Sequence, residues 1–218
     1  MDFAAYALCV IGGYFLGSIP TGYLVARFRG VDIRTVGSGN IGATNVFRIL
    51  GKGAGTFVLL ADAFKGFLAC WLLVRLSAQL AGETEPLSPA RREALQLTAG
   101  IAAILGHNYT CWLNFKGGKG IATTAGVLVA LVPLALAILL TLWGIVLALT
   151  RYVSLASITA AAALPLVVWL TGGSPLLVAI TAGIGTLAIY KHKVNLQRLL
   201  AGTENRFGSP KPPAPSAP

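Results

Sequence analysis

The chain has 218 residues, of which 56% are hydrophobic and only 11% charged, and its mean hydropathy is +0.76. A soluble domain carries about 25% charged residues to hold its surface in water, so this composition excludes a soluble enzyme, a disordered protein and a nucleic-acid-binding module, and makes lipid the solvent for most of the surface. Seventeen Lys and Arg against seven Asp and Glu leave a formal charge of +10, which in a membrane protein signals topology first and anionic substrates or lipids second.

Taken in chain order, residues 1–25 lack the basic n-region and cleavage signal of a secretory leader and read as a retained first helix within the apolar stretch 3–26. Further apolar stretches cover 54–76, 94–105, 121–150 and 153–190, the last broken by the Thr171-Gly-Gly-Ser-Pro175 turn. Polar insertions at 27–52, 106–120, 151–154 and 191–206 hold most of the basic residues, whereas the 77–92 connection offsets its arginines with Glu83 and Glu85. The positive-inside rule puts the four basic insertions in the cytoplasm and the 77–92 connection outside. The chain must then leave and return over 121–150, turning at Pro133, and again over 153–190. This predicts an all-α integral membrane protein of seven transmembrane helices, N-terminus out and C-terminus in; one long tilted helix over 121–150 is the alternative. Gly13-xxx-Gly17 and Gly51-xxx-Gly55 have the spacing of close helix contacts. Residues 1–207 read as a single membrane domain and 208–218 as a disordered Pro-rich tail.

Three polar segments suit an anion. In the first, Gly37, Gly39 and Gly42 let the backbone turn its N–H groups into a nest, Ser38, Asn40, Thr44 and Asn45 add neutral donors, and Arg48 adds a planar fork matched to phosphate. In the second, Lys116 and Lys119 flank paired glycines just ahead of a helix start; Gly120 after Lys119 rules out a Walker A loop. The third runs from Lys191 to Glu204. If the last helix continues through it, His192, Asn195 and Arg198 recur at i, i+3 on one face. A smaller donor cluster includes Ser154, and Asp62 with Lys65 places an ion pair inside an apolar helix, either for mutual neutralisation or to orient a site. Cys9, Cys70 and Cys111 form no CxxC pair, no Cys/His cluster has metal-ligand spacing, and two histidines with seven acids make a Ser-His-Asp triad hard to assemble.

Three motifs in order, residues 38–48, Gly106-His-Asn108 with Phe115-Lys-Gly-Gly-Lys-Gly120, and residues 192–199 with Gly202-Thr-Glu204, resemble the bacterial acyl-phosphate:glycerol-3-phosphate acyltransferase (PlsY) family. Ile41 stands where that family often has Pro. The resemblance implies transfer of a fatty acyl group from acyl phosphate to the 1-hydroxyl of glycerol 3-phosphate, giving 1-acylglycerol 3-phosphate and phosphate for phospholipid synthesis, with no cofactor. It assigns catalytic roles to Ser38, Arg48, Lys119, His192 and Asn195, and substrate contacts to Gly37, Gly39, Asn40, Asn45, His107, Asn108, Lys116, Ser154, Arg198 and Glu204. The expected partners are the two substrates and membrane lipids, not nucleic acid, and a monomer is favoured. The expected location is the bacterial inner membrane, with the site facing the cytoplasm. The competing reading is a transporter or binding protein for an organic phosphate. An HxxxxD acyltransferase is excluded, because Trp112 and Gln197 stand where that motif needs Asp.

Overall fold

A computed structural model describes residues 2–83 and 85–208; no strand occurs among them. The expected tail therefore falls, from 209 onward, outside the described residues. Helix α1 (Asp2–Ser18) and α2 (Thr21–Phe28) share the first apolar span. They part at Ile19-Pro20, where proline supplies no N–H to the preceding turn. The carbonyls this break frees are satisfied from elsewhere: Thr110 Oγ1 donates to Ser18 O at 2.6 Å and Lys65 Nζ to Ile19 O at 2.8 Å. After the 29–42 loop comes the short α3 (Ala43–Leu50), then α4 (Lys52–Leu68), which widens into a π turn at Ala69–Leu73 before α5 (Val74–Leu80).

Helix α6 (Pro89–Asn108) returns with Ser88 capping its first turn. A single 3-10 turn, Cys111–Leu113, and the glycine loop lead to α7 (Ile121–Leu131), α8 (Pro133–Thr150), α9 (Val153–Leu170), α10 (Pro175–Lys191) and α11 (Lys193–Leu200). Four of these helical stretches are long and apolar enough to cross a membrane, five if the bent α10–α11 pair is one span.

Residues 121–150 form a hairpin rather than one tilted helix. Gly120 and Val153 line the same cavity, whereas a straight helix over 121–150 would hold its ends about 45 Å apart. The turn falls at Val132, ahead of Pro133; α7 packs on α4, and α8 on α9. By the same logic α9 and α10 form a second hairpin, since Val153 and His192 both reach that cavity.

Two expectations need correction. The chain does not continue straight past Lys191 but bends by 58° between α10 and α11, so His192 occupies the corner instead of the start of one shared face. Gly51-xxx-Gly55 is not a contact between spans. Gly51 sits at φ +90° joining α3 to α4, with open space where a Cβ would go, and Gly55 packs on the Phe47 ring of α3. By contrast, Gly13 and Gly17 do bring α1 against α6: a Cβ on them would lie 2.6 Å from Ala99 O and 2.0 Å from Ala103 O. Gly106 completes this seam against Tyr14 O, at 2.2 Å.

Gly17→Val should therefore cost about 3 kcal/mol of stability, because backbone blocks the added atoms. Gly183→Ala, where a Cβ meets open space, should leave the thermal midpoint in detergent unchanged or raise it slightly.

Candidate active site

One end of the bundle collects all four basic insertions around a cavity of about 130 Å³. Ser38, Asn40, Asn45, Arg48, His107, Lys119, Ser154, His192, Asn195 and Glu204, all singled out from sequence, line it. The first turns of α3, α7 and α9 line it as well, through Ala43, Ile121 and Val153. Three helix N-termini bring free amides and the positive ends of helix dipoles to one place.

Each polar segment is held by its own side chains. Asn45, only 1% exposed, accepts from Ser38 N at 2.9 Å and donates to Ile33 O and Val36 O, fixing the 33–45 loop. Gly37, at φ +62°, lies where a Cβ would meet Asn45 Oδ1 at 2.3 Å, so only glycine lets the loop close on that amide. Asn40 Oδ1 accepts from Gly42 N at 2.8 Å, just ahead of α3. The glycine loop is tied to the end of α6: Gly118 N donates to His107 O at 3.0 Å and Gly117 N to Asn108 O at 3.2 Å.

The C-terminal segment closes the far side. Glu204 Oε1 accepts from Ser154 Oγ at 2.9 Å and Asn195 Nδ2 at 2.8 Å, while its buried Oε2 has no partner among the described residues. Lys119 Nζ donates to Asn195 Oδ1, linking the second and third polar segments. Asn205 O accepts from Arg48 Nη2 at 3.4 Å, and Phe207 is bonded to Arg151 through both main-chain groups.

Not every expected residue reaches the cavity. Lys116, Gly37 and Gly39 are exposed, and neither they nor Arg198 and the buried Asn108 line the cavity. Conversely, sequence reasoning passed over Leu59 and Trp143, and placed Ser157 only in the smaller donor cluster 151–157; all three reach the site. These line both the polar cavity and an adjoining apolar groove of about 200 Å³ between α4, α7, α8, α9 and α10. Trp143 Nε1 donates to Ser157 Oγ at 3.2 Å, at the junction of the two. An indole midway along an otherwise aliphatic span was the available signal.

Burial pulls the Lys119 ammonium down to about 8; Glu204 opposes the shift, and Arg48, Arg198 and Lys191 add to it. Arg48 is also lowered by burial, against Glu204. Burial lowers His192 to about 4, with Lys119 adding and the Ala188 carbonyl opposing. His192 Nδ1 lies 2.8 Å from Ala188 O, which fixes the ring proton on Nδ1 and leaves Nε2 an acceptor.

The chain matches the family described as glycerol-3-phosphate acyltransferase over residues 7–202. It is 52% identical to a glycerol-3-phosphate acyltransferase of Geobacter metallireducens, over 92% of this chain and 96% of that protein. It belongs to the glycerol-3-phosphate acyltransferase family. Another relative of that name, from Geotalea daltonii, is 47% identical over 91% of this chain and 95% of its own. The glycerol 3-phosphate form of crystalline PlsY, an integral membrane glycerol 3-phosphate acyltransferase, superposes with a TM-score of 0.81 at 40% identity, covering 93% of this chain and 96% of PlsY. Its lysophosphatidic acid form gives 0.78 at 39% identity, covering 93% and 95%. The fold is thus that of a multi-pass membrane protein.

Lys119 is protonated below its lowered value, so anion binding should weaken as pH rises through about 8. Sulfate, whose own charge is constant across this range, should protect against thermal unfolding less at pH 9 than at pH 7. Lys119→Arg, charged throughout, should abolish that difference.

Proposed function

We propose that this protein transfers an acyl group from acyl phosphate to the 1-hydroxyl of glycerol 3-phosphate, releasing 1-acylglycerol 3-phosphate and phosphate. The observation that carries this reading is an anion-suited cavity that shares Leu59, Ile121, Ala122, Trp143 and Ser157 with an apolar groove. Both substrates bear phosphate, and one bears an acyl chain that needs such a groove. Family membership supports the acceptor; the mixed-anhydride donor is our reading.

An acyl phosphate is already activated, so the protein's tasks are alignment and charge stabilisation. The hydroxyl oxygen attacks the carbonyl carbon, and the carbon–oxygen bond to phosphate breaks, its electron pair leaving with phosphate. In this scheme Ser38, Asn40 and Arg48 hold the acyl phosphate and Lys119 supports the leaving group. Ser154, His192 and Asn195 orient glycerol 3-phosphate, and Glu204 holds Ser154 and Asn195 in place for that contact. Arg198 acts through its field on Lys119 and Arg48. Asn45, with both amide protons engaged in the loop, positions Ser38, while Gly37 and Gly39 supply the turn. A His192 held near 4 is a poor base, and a phosphate monoester, with a second pKa of about 6, is the better proton acceptor.

A transporter would favour a midplane site between repeats; here the polar segments gather around one cavity at one end of the bundle. Counting α1–α2, α4–α5, α6, α7, α8, α9 and α10 as spans gives seven crossings. We propose the N-terminus outside, and the site on the cytoplasmic face of a bacterial plasma membrane.

Purified protein in detergent, given acyl phosphate and glycerol 3-phosphate, should release phosphate without sealed vesicles; failure of release overturns the enzyme reading. Arg48→Lys keeps the charge but loses the fork, and should lower turnover by about tenfold or more. An acid limb near pH 6 should persist in His192→Gln, because it reports substrate phosphate; its disappearance would restore His192 as the base. In intact cells an impermeant maleimide should spare Cys111 and Ser38→Cys but modify Gly82→Cys, and the opposite pattern inverts the topology.

A further inference from the structure

Asp62 and Lys65 lie one turn apart on α4, at 2% and 4% exposure. Burying two charges inside an apolar bundle is costly even when they are paired, and their partners indicate what the pair does. An ammonium has three N–H donors. Those of Lys65 have three acceptors in reach: Asp62 Oδ1 at 2.8 Å, Ile19 O at 2.8 Å and His107 Nδ1 at 3.0 Å. Thr21 Oγ1 donates to the same Asp62 oxygen at 3.1 Å, so the carboxylate is held from two helices.

The third contact decides the state of His107. Facing an ammonium proton, Nδ1 must present a lone pair, so the ring proton resides on Nε2; an imidazolium would oppose two donors across 3.0 Å. The Nε2 edge faces the glycine loop, where a Cβ on Gly118 would lie 2.1 Å from it. Gly118 therefore packs its backbone against that edge with no side chain between, and His107 lines the cavity. No hydrogen bond engages Nε2 among the described residues.

We propose that Asp62 and Lys65 are positioning residues that fix His107 as a neutral imidazole protonated on Nε2, presenting an uncharged N–H to a substrate phosphate oxygen beside Gly118. The ligand in this inference rests on the phosphate-transfer reading above. A neutral donor suits the place: Lys65 and Lys191 already stand near, and a further cation would add repulsion before substrate arrives. The pair also ties the break in the first span, through Ile19 and Thr21, to the residue against which the glycine loop closes.

The chain has two histidines, so protein labelled with 15N-histidine gives two ring signals, and His192→Gln assigns them. The expected spectrum has a bare Nδ1 and a protonated Nε2 at His107, with Nε2 shifting as glycerol 3-phosphate is added. An Nδ1–H tautomer, an imidazolium, or an Nε2 unmoved by glycerol 3-phosphate in a preparation with normal turnover overturns the inference and leaves the acyltransferase reading intact. Absence of acyl transfer in the same preparation sinks that reading instead.

His107→Gln places an amide N–H near Nε2 and should keep KM for glycerol 3-phosphate within about threefold, whereas His107→Asn mimics Nδ1 and should raise it about tenfold. The reverse order would mean that His107 serves the buried network alone. Neutralising both charges, in Asp62→Asn with Lys65→Met, avoids an unpaired buried ion and should mix the His107 tautomers and raise KM; an unchanged tautomer removes the pair from its positioning role. The wild-type spectrum remains decisive if the variants fail to accumulate.

Discussion

Lys119 governs the site because it is a cation without enough opposing charge. Burial and three neighbouring cations act against its ammonium, with Glu204 opposing them. In water such crowding would be screened; in a bundle whose outer surface is apolar, it persists. The arrangement is relieved by an anion, and two phosphorylated substrates are the reading it supports best. The helix N-termini of α3, α7 and α9 work in the same direction without adding a mobile charge.

Holding that imbalance requires rigid neighbours. Glu204 keeps its place through Ser154 and Asn195, and Asn195 in turn accepts from Lys119. The C-terminal segment is pinned by Arg48 and Arg151, so the residues that shape the cavity come from every polar insertion of the chain. Close packing beneath makes this possible. Gly13, Gly17 and Gly106 let α1 and α6 touch backbone to backbone, and the frayed carbonyls at Ile19 and Ser18 are met by Lys65 and Thr110. With few waters available to satisfy them, such groups must find partners within the protein.

The adjoining groove supplies an apolar surface beside the polar cavity. Leu128, Leu136, Leu139 and Leu164 line it, and Trp143 stands where it meets the polar cavity. A carbonyl at that junction has hydrocarbon on one side and phosphate-suited donors on the other. In the proposed reading, recognition of an amphiphile rests on the adjacency of these two surfaces.

Much of this was legible without coordinates. The hydropathy runs, the parity of basic insertions and the Ser38–Arg48, Lys116–Lys119 and His192–Glu204 motifs depend on local composition, and local composition is what a sequence displays. Helices apolar on nearly every side have no periodic stripe to say which face packs inward, so the neighbours of α8 and the groove beside Trp143 could not be read. The corner at His192, a bend of 58°, was equally hidden, since no proline or glycine marks it. Asp62 and Lys65 announced a purpose by their cost in an apolar helix, but their link to His107 spans 42 residues. Sequence by itself determined the solvent, the substrate charge and most of the donors. Tertiary structure alone decided which donors converge, because convergence depends on helix contacts between residues that no local pattern relates.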